Sequence, residues 1–375
     1  MQTLESYNGF EQGPIRPPSE SSSLLIRVTR NCPWNRCTFC GLYKGEQFSR
    51  RPVAHVLRDI DTVHRFVVGL QNGDTFLSRD ASLDWSEQMA LYAARNWLMG
   101  GAKAVFLQDS NSLIIKPQDL VRILEHLHRS FPKIERITSY ARSHTIARMA
   151  EADLTAIAAA GLNRIHIGLE SGSDAVLANV KKGADSEIHV AAGVKVRQAG
   201  IELSEYYMPG LGGRALSQEH ALDSAAVLNR INPDFIRIRT LALPEQLELA
   251  QEQVSGRFVK LGDRETAQEM RLFLQSLSGI NSRIKSDHIL NLFEEIDGVL
   301  PGDQARMLAV IDRFLNLPPY EQVLYQIGRR TGVFRQLADL KHPGLRHQAL
   351  GYVEQWMVTP ENVDQICDQL MQRFI

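Results

Sequence analysis

Apolar and polar positions along this chain follow two alternating rhythms. Between residues 24 and 241, short runs rich in branched residues give way to longer runs with helical spacing. The runs 24–29, 104–108, 134–140, 163–169, 201–208 and 235–241 predict strands. The stretches 53–70, 85–100, 117–130, 144–160, 185–199 and 217–230 predict helices, and Gly161 is placed to cap the one ending at 160. A connection bearing Gly, Asp and Ser fills 71–84.

A β/α unit recurring every roughly 30–40 residues is the mark of right-handed parallel crossovers. Six such units predict an α/β fold, a partial (β/α)6 TIM-like barrel rather than a closed eightfold one. After Pro244 the strand signals stop, and 265–277, 302–315, 319–330 and 360–374 read as helices. Thr359 is expected as the N-cap of the last, with Pro360 at its first position. The expected organisation is a polar segment at 1–23, the partial barrel at 24–244 and a helical extension at 245–375.

Composition adds mainly exclusions. The 375 residues carry a net charge of -1, with 44% hydrophobic and 23% charged residues. No overall field draws the chain to nucleic acid or to an anionic membrane, and neither is expected as a partner. No apolar run reaches the ~20 residues of a membrane span. Residues 1–20 are polar, contain Pro14, Pro17 and Pro18, and lack the basic and apolar regions of a secretion signal. A cytoplasmic protein is expected.

The cysteines change the picture. Three of the four, Cys32, Cys37 and Cys40, fall within nine residues, directly after the first strand run. That loop belongs at the C-terminal end of a barrel strand, where such folds build their active sites. Thiolates are soft ligands that suit iron–sulfur clusters and zinc. Three of them can hold three irons of a cubane and leave the fourth open. Zinc with a further ligand such as histidine is the competing reading of the trio. Cys367 stands alone in an amphipathic stretch and reads as a small buried hydrophobe.

The trio, Phe39 before Cys40, and the stretch Gly168-Leu169-Glu170-Ser171-Gly172-Ser173-Asp174 after the fourth strand resemble the radical S-adenosylmethionine (radical SAM) superfamily. With Ser286-Asp287-His288, the pattern is similar to a bacterial group within it whose substrate is not evident. One departure is the spacing, C-x4-C-x2-C in place of the usual C-x3-C-x2-C.

The resemblance implies a [4Fe-4S] cluster on Cys32, Cys37 and Cys40. It implies that S-adenosyl-L-methionine chelates the open iron and is cleaved to methionine and a 5′-deoxyadenosyl radical, which takes hydrogen from a substrate. It places Phe39 near the adenine, Glu170 with Ser171 at the ribose hydroxyls, and Lys182 at the methionine carboxylate. In place of the family's Gly-Gly-Glu-like turn stands Gln108-Asp109-Ser110, whose Asp109 or Ser110 would accept from the methionine ammonium. A flavodoxin or ferredoxin is the implied electron donor. Auxiliary clusters are not expected without a second cysteine group, nor a cobalamin domain with 23 residues before the first strand.

Several of these residues also have plainer readings. Ser173 fits a helix N-cap, Lys181-Lys182 a solvated pair, and Asp109 a turn. Substrate-side candidates are Tyr140, Arg142, Glu205, Tyr206, Arg237, Arg239 and His288. Arg237 and Arg239 share one strand face. Pointing inward they suit an anionic substrate, and pointing outward they pair with helix acids. Asp287-His288 suits either proton transfer or a structural hydrogen bond. Two rival functions remain: a non-catalytic zinc- or Fe-S-binding regulatory protein on the same barrel, and a hydrolytic metalloenzyme, for which no His-x-x-Glu pattern is present.

Overall fold

The computed structural model describes residues 5–74 and 83–374. Part of the connection expected at 71–84 therefore lies outside the described residues. The strands are β1 Leu24–Arg27, β2 Thr29–Arg30, β3 Ser49–Arg50, β4 Ala104–Gln108, β5 Arg136–Ala141, β6 Arg164–Glu170, β7 Glu202–Tyr207, β8 Phe235–Ile238, β9 Arg283–Lys285 and β10 Gly298–Val299. β2 and β3 form a separate antiparallel pair. The other eight make one mostly parallel sheet in the order β1-β4-β5-β6-β7-β8-β9-β10. The fold is mixed α/β, and six of these strands are the expected barrel strands.

Beside the β2–β3 pair, two strands of the large sheet were not expected. β9 and β10 lie beyond Pro244, with β9 parallel to β8 and β10 antiparallel to β9. The physical reason is length. β9 is three residues in which only Ile284 is buried, between Arg283 and Lys285, too short for an alternation to register.

The chain divides into two compact units. The first comprises Met1–Asn35, Tyr43–Ile167 and Val194–Leu203. β4 is buried along its whole length, as a strand covered on both faces should be. The helix Pro117–Ser130 starts on its proline and buries Leu120, Ile123, Leu124 and Leu127, the i, i+3, i+4, i+7 stripe of a helix lying on a sheet. The helix Trp85–Met99 is capped by Asp84, whose carboxylate accepts from the Glu87 amide at 2.8 Å. The helix expected over 144–160 is two helices, Ser143–Arg148 and Glu151–Ala159. Lys195 donates to the carbonyls of Ala147 and Met149 at 2.9 and 2.8 Å, satisfying the first helix's end so that it stops there. Gly161 does close the second helix, at φ +107.

The second unit comprises Arg36–Leu42, Gly168–Gly193 and Ser204–Ile375. Its helices after residue 244 include two that were not expected, Glu248–Val254 and Pro343–Gln355. The last helix is Val363–Met371, three residues later than expected. Thr359 instead opens a turn, accepting from the Val363 amide through its backbone carbonyl. Cys367 is buried on that helix.

Two buried arginines end the helix Pro319–Arg330. Arg329 donates to the carbonyls of Asn291, Leu292 and Phe334 at 2.9, 2.9 and 2.7 Å. Arg330 donates to the Leu290 carbonyl at 2.6 Å and pairs with buried Asp263. The extension helices thus fix the segment 286–294 that follows β9. Replacing Arg330 by Met strands the Asp263 charge in the interior. The expected loss is about 3–5 kcal/mol in urea unfolding, recovered in part by adding Asp263→Asn. Equal stability of the single variant and the unsubstituted chain would contradict this.

Candidate functional site

In the first unit, β2 leads into Cys32 through Asn31, which holds φ +65. Asparagine tolerates that left-handed region better than most residues. The Asn35 amide donates to the Cys32 sulfur at 3.4 Å, and the Asn35 side chain bonds the Tyr43 carbonyl. Trp34 lies in the same loop, with the Arg142 guanidinium 5.0 Å over its ring.

The turn after β4 sits against this loop. Asp109 is buried, and its Oδ2 accepts from Arg27 Nε and Nη2 at 2.9 and 2.7 Å and from the Asn31 amide at 3.2 Å. Burial pushes the Asp109 carboxyl up, and Arg27 opposes it in part. Ser110 donates to the Asn31 carbonyl at 3.0 Å. Gln108 faces elsewhere. It accepts from the Gly13 amide at 2.8 Å and donates to the carbonyls of Gly13 and Ile15 at 3.0 and 2.5 Å. Tyr140 meets Phe106 and His166 edge-on, at 5.2 and 5.7 Å.

The second unit holds Cys37, Phe39 and Cys40. The Thr38 amide donates to the Val180 carbonyl, and the Leu249 amide to the Thr38 carbonyl, both at 3.1 Å. Phe39 packs on an apolar cluster of Val176, Val180, Met208, Leu211, Leu241 and Leu249. Lys182 Nζ lies 3.2 Å from Glu170 Oε1 and 5.8 Å from the Phe39 ring centre. Lys181 points away and pairs with exposed Glu248. The two neighbouring lysines are therefore unlike.

Glu170 is itself at φ +63, a strained position for a non-glycine residue. A side chain at Gly168 would meet Glu170 Oε1 at 2.2 Å, so the small residue makes room for the acid. Ser171 is buried with its hydroxyl in use. It bonds His220 Nδ1 at 2.8 Å and accepts from the Ser173 amide at 3.0 Å. Burial lowers the His220 pKa, so the ring is neutral. Nε2 must then carry the proton, because it meets the Met208 carbonyl at 2.9 Å, and Nδ1 accepts from Ser171. His220 was not singled out from sequence, and nothing in its local pattern marks it. Ser173 precedes the helix Asp174–Asn179 but makes no side-chain cap.

Glu205 is fully buried, and its carboxyl oxygens have no hydrogen-bond partner of ordinary geometry. Burial raises its pKa well above the usual carboxylate range. Lys182 opposes that rise and Glu170 adds to it. Tyr206 follows it on β7, half-buried. Arg237 on β8 and Arg239 just after it part ways. Arg237 is buried and pairs with Asp287 at 2.5 Å, whereas Arg239 is exposed. Asp287 thus serves Arg237 rather than His288. The His288 Nδ1 accepts from the Leu290 amide at 3.3 Å, and burial, then Arg239, lower its pKa to about 4.

A cavity of about 700 Å³ in this unit is lined by Leu243, Phe258, Lys260, Asp364 and Asp368 among others. It contains none of the sequence-derived candidates. Among the described residues no group of three or more His, Cys, Asp or Glu is gathered to hold a metal ion. The donor chemistry still fits a thiolate-ligated cluster: Cys32, Cys37 and Cys40 are in no disulfide, and each is half-buried.

The fold is α/β, with three cysteines gathered in sequence shortly after its first sheet strand. The chain belongs to the radical SAM superfamily, whose model matches residues 26–225. Members are enzymes, and the cofactors are a [4Fe-4S] cluster and S-adenosyl-L-methionine. A curated relative, the tRNA uridine(34) acetyltransferase of Methanocaldococcus infernus, is 22% identical over 260 residues, 65% of this chain. The chain spans about half the length of that relative, 47%. Solved structures it resembles include coproporphyrinogen III oxidase from Escherichia coli (TM-score 0.44, 15% identity, 68% of this chain and 50% of that one). Another is the radical S-adenosylmethionine methyltransferase TsrM from Kitasatospora setae (TM-score 0.45, 13% identity, 92% of this chain and 65% of that one). No described helix is long and apolar enough to cross a membrane.

Glu205 carries a pH signature. Its raised folded-state pKa means the folded chain binds that proton more tightly than the unfolded chain. The stability it contributes is complete below the unfolded value of about 4.3 and is lost as pH rises through the folded pKa. Glu205→Gln removes the titration. Its melting temperature is expected to exceed that of the unsubstituted chain at pH 8, with the gap closing toward pH 4. A gap independent of pH would refute the assignment.

Proposed function

We propose that this protein is a radical SAM enzyme in which Cys32, Cys37 and Cys40 hold the cluster. The observation carrying this reading is the position of the trio, as half-buried cysteines in no disulfide, just after β2 and inside the matched segment. When bound, the cluster supplies the electron that cleaves S-adenosyl-L-methionine to methionine and a 5′-deoxyadenosyl radical, which abstracts hydrogen from a substrate.

The chain's own residues bind and orient. Phe39, held on its apolar cluster, offers a flat face for adenine. Glu170, fixed by Lys182 and by its unusual backbone, offers acceptors for the ribose hydroxyls. Lys182 keeps a cation beside that acid, suited to the methionine carboxylate. The neutral His220 secures Ser171 and with it the turn that presents Glu170. An external one-electron reductant such as a flavodoxin or ferredoxin completes the system. The protein's contribution is orientation, tuning and exclusion of water.

Anaerobically reconstituted protein with dithionite and S-adenosyl-L-methionine is expected to form 5′-deoxyadenosine, and Cys37→Ala to form none above background. Equal yields from the two would refute the reading. One zinc per chain and no iron after anaerobic purification would instead support the non-catalytic regulatory alternative.

A further inference from the structure

We propose that Arg27, Asp109 and Ser110 are positioning residues that clamp Asn31 and thereby aim the Cys32 thiolate at the cluster. This rests on the reading that Cys32 is a cluster ligand. It gives the turn after β4 a different task from the one its place in the chain implies, which is to contact the methionine ammonium.

The geometry carries the inference. Asn31 is one peptide bond before Cys32, so its backbone torsions set the direction of the cysteine side chain. Those torsions lie in the left-handed region, at φ +65, which a non-glycine residue keeps only when its surroundings impose it. Here each of its polar groups is engaged. Its amide donates to Asp109 Oδ2 at 3.2 Å, and its carbonyl accepts from Ser110 at 3.0 Å. Its side-chain oxygen meets Arg27 Nη2 at 3.4 Å, and its side-chain nitrogen donates to the Gln47 carbonyl at 2.7 Å.

Asp109 keeps one acceptor without a hydrogen-bond partner, Oδ1, and that atom is buried. Its Oδ2 already receives Arg27 twice and Asn31 once. Its Oδ1 lies against Gly13, where a side chain at that position would come within 1.8 Å, and beside the buried Tyr43 hydroxyl. An ammonium could reach it only by displacing the N-terminal segment. That segment is itself secured. Gln108 bonds the backbone of Gly13 and Ile15, and Glu11 spans Arg27 at 3.6 Å, Arg30 at 2.7 Å and Arg51. The N-terminal segment therefore braces Arg27, Arg27 braces Asp109, and Asp109 with Ser110 braces the residue before the thiolate.

The test uses the full chain, reconstituted anaerobically and desalted, and follows bleaching of the cluster absorbance under a chelator. Ser110→Ala and Asp109→Ala are expected to lose the cluster about 10-fold faster, the scale typical when a support of a metal ligand is removed. Ser110→Thr, which keeps the hydroxyl, is expected to restore retention and the EPR line shape of the reduced cluster. S-adenosyl-L-methionine affinity of cluster-loaded Ser110→Ala is expected to be unchanged. Ser110→Ala should also melt with the unsubstituted chain, which separates aiming from folding. Retention unchanged in both alanine variants would overturn the clamp. So would normal retention with much weaker S-adenosyl-L-methionine binding, which would return the turn to ligand contact. A Cys32→Ala variant holding a full complement of iron would overturn the ligand assignment beneath the proposal.

Discussion

A carboxylate with no exposure to water must be paired or protonated, and Asp109 meets that demand with Arg27 and the Asn31 amide. Much of the first unit's site follows from this one pairing. Arg27 ends a strand whose other residues are buried aliphatics, so its guanidinium has to find acids. It finds Asp109 on one side and Glu11 on the other. The same pairing ties β1, the turn after β4 and the start of the cysteine loop into one assembly. The N-terminal segment joins it through Glu11, Gly13 and Ile15, which makes a polar, proline-bearing stretch part of the site.

The second unit solves its polar problem differently. A neutral imidazole and a buried carboxylate, His220 and Glu269, serve as internal connectors. His220 links Ser171 to the Met208 carbonyl, and Glu269 accepts from the Gly210 amide at 2.7 Å and from Ser217 at 2.6 Å. Tyr207 stacks between His220 and Phe273. This frame holds the turns after β6 and β7 without exposing any of its members. Glu205 is the exception, a buried acid with no such frame.

The strands and long helices of the barrel were legible because each buries a continuous apolar set, so periodicity records burial directly. The helix Pro117–Ser130 is the clearest case, with a proline start and an unbroken apolar stripe. What escaped was set by distant partners. The break at Met149 depends on Lys195, some fifty positions on, and β9 depends on lying beside β8. The start of the last helix shifted because Thr359 and Asn362 bond each other's backbone first.

The candidate site divides along the same line. The cysteines, Phe39 and Glu170 stand out in the sequence because they lie in local motifs. Which hydroxyls and amides were already spent was not. Ser171 and Gln108 look like ligand groups in the sequence, yet their bonds go to His220 and to residues 13–15. Arg237 and Arg239 share a strand face in the sequence, and what separates them is the end of β8 at Ile238 and the Ser204 and Asp287 partners of Arg237.

The measurement that bears most directly on this account is anaerobic EPR of the reduced, reconstituted protein with and without S-adenosyl-L-methionine. A cluster signal whose g-values shift on addition is predicted, because the ligand would bind the iron that the three cysteines leave open. A signal indifferent to S-adenosyl-L-methionine, or none from protein that retains its iron, would contradict it.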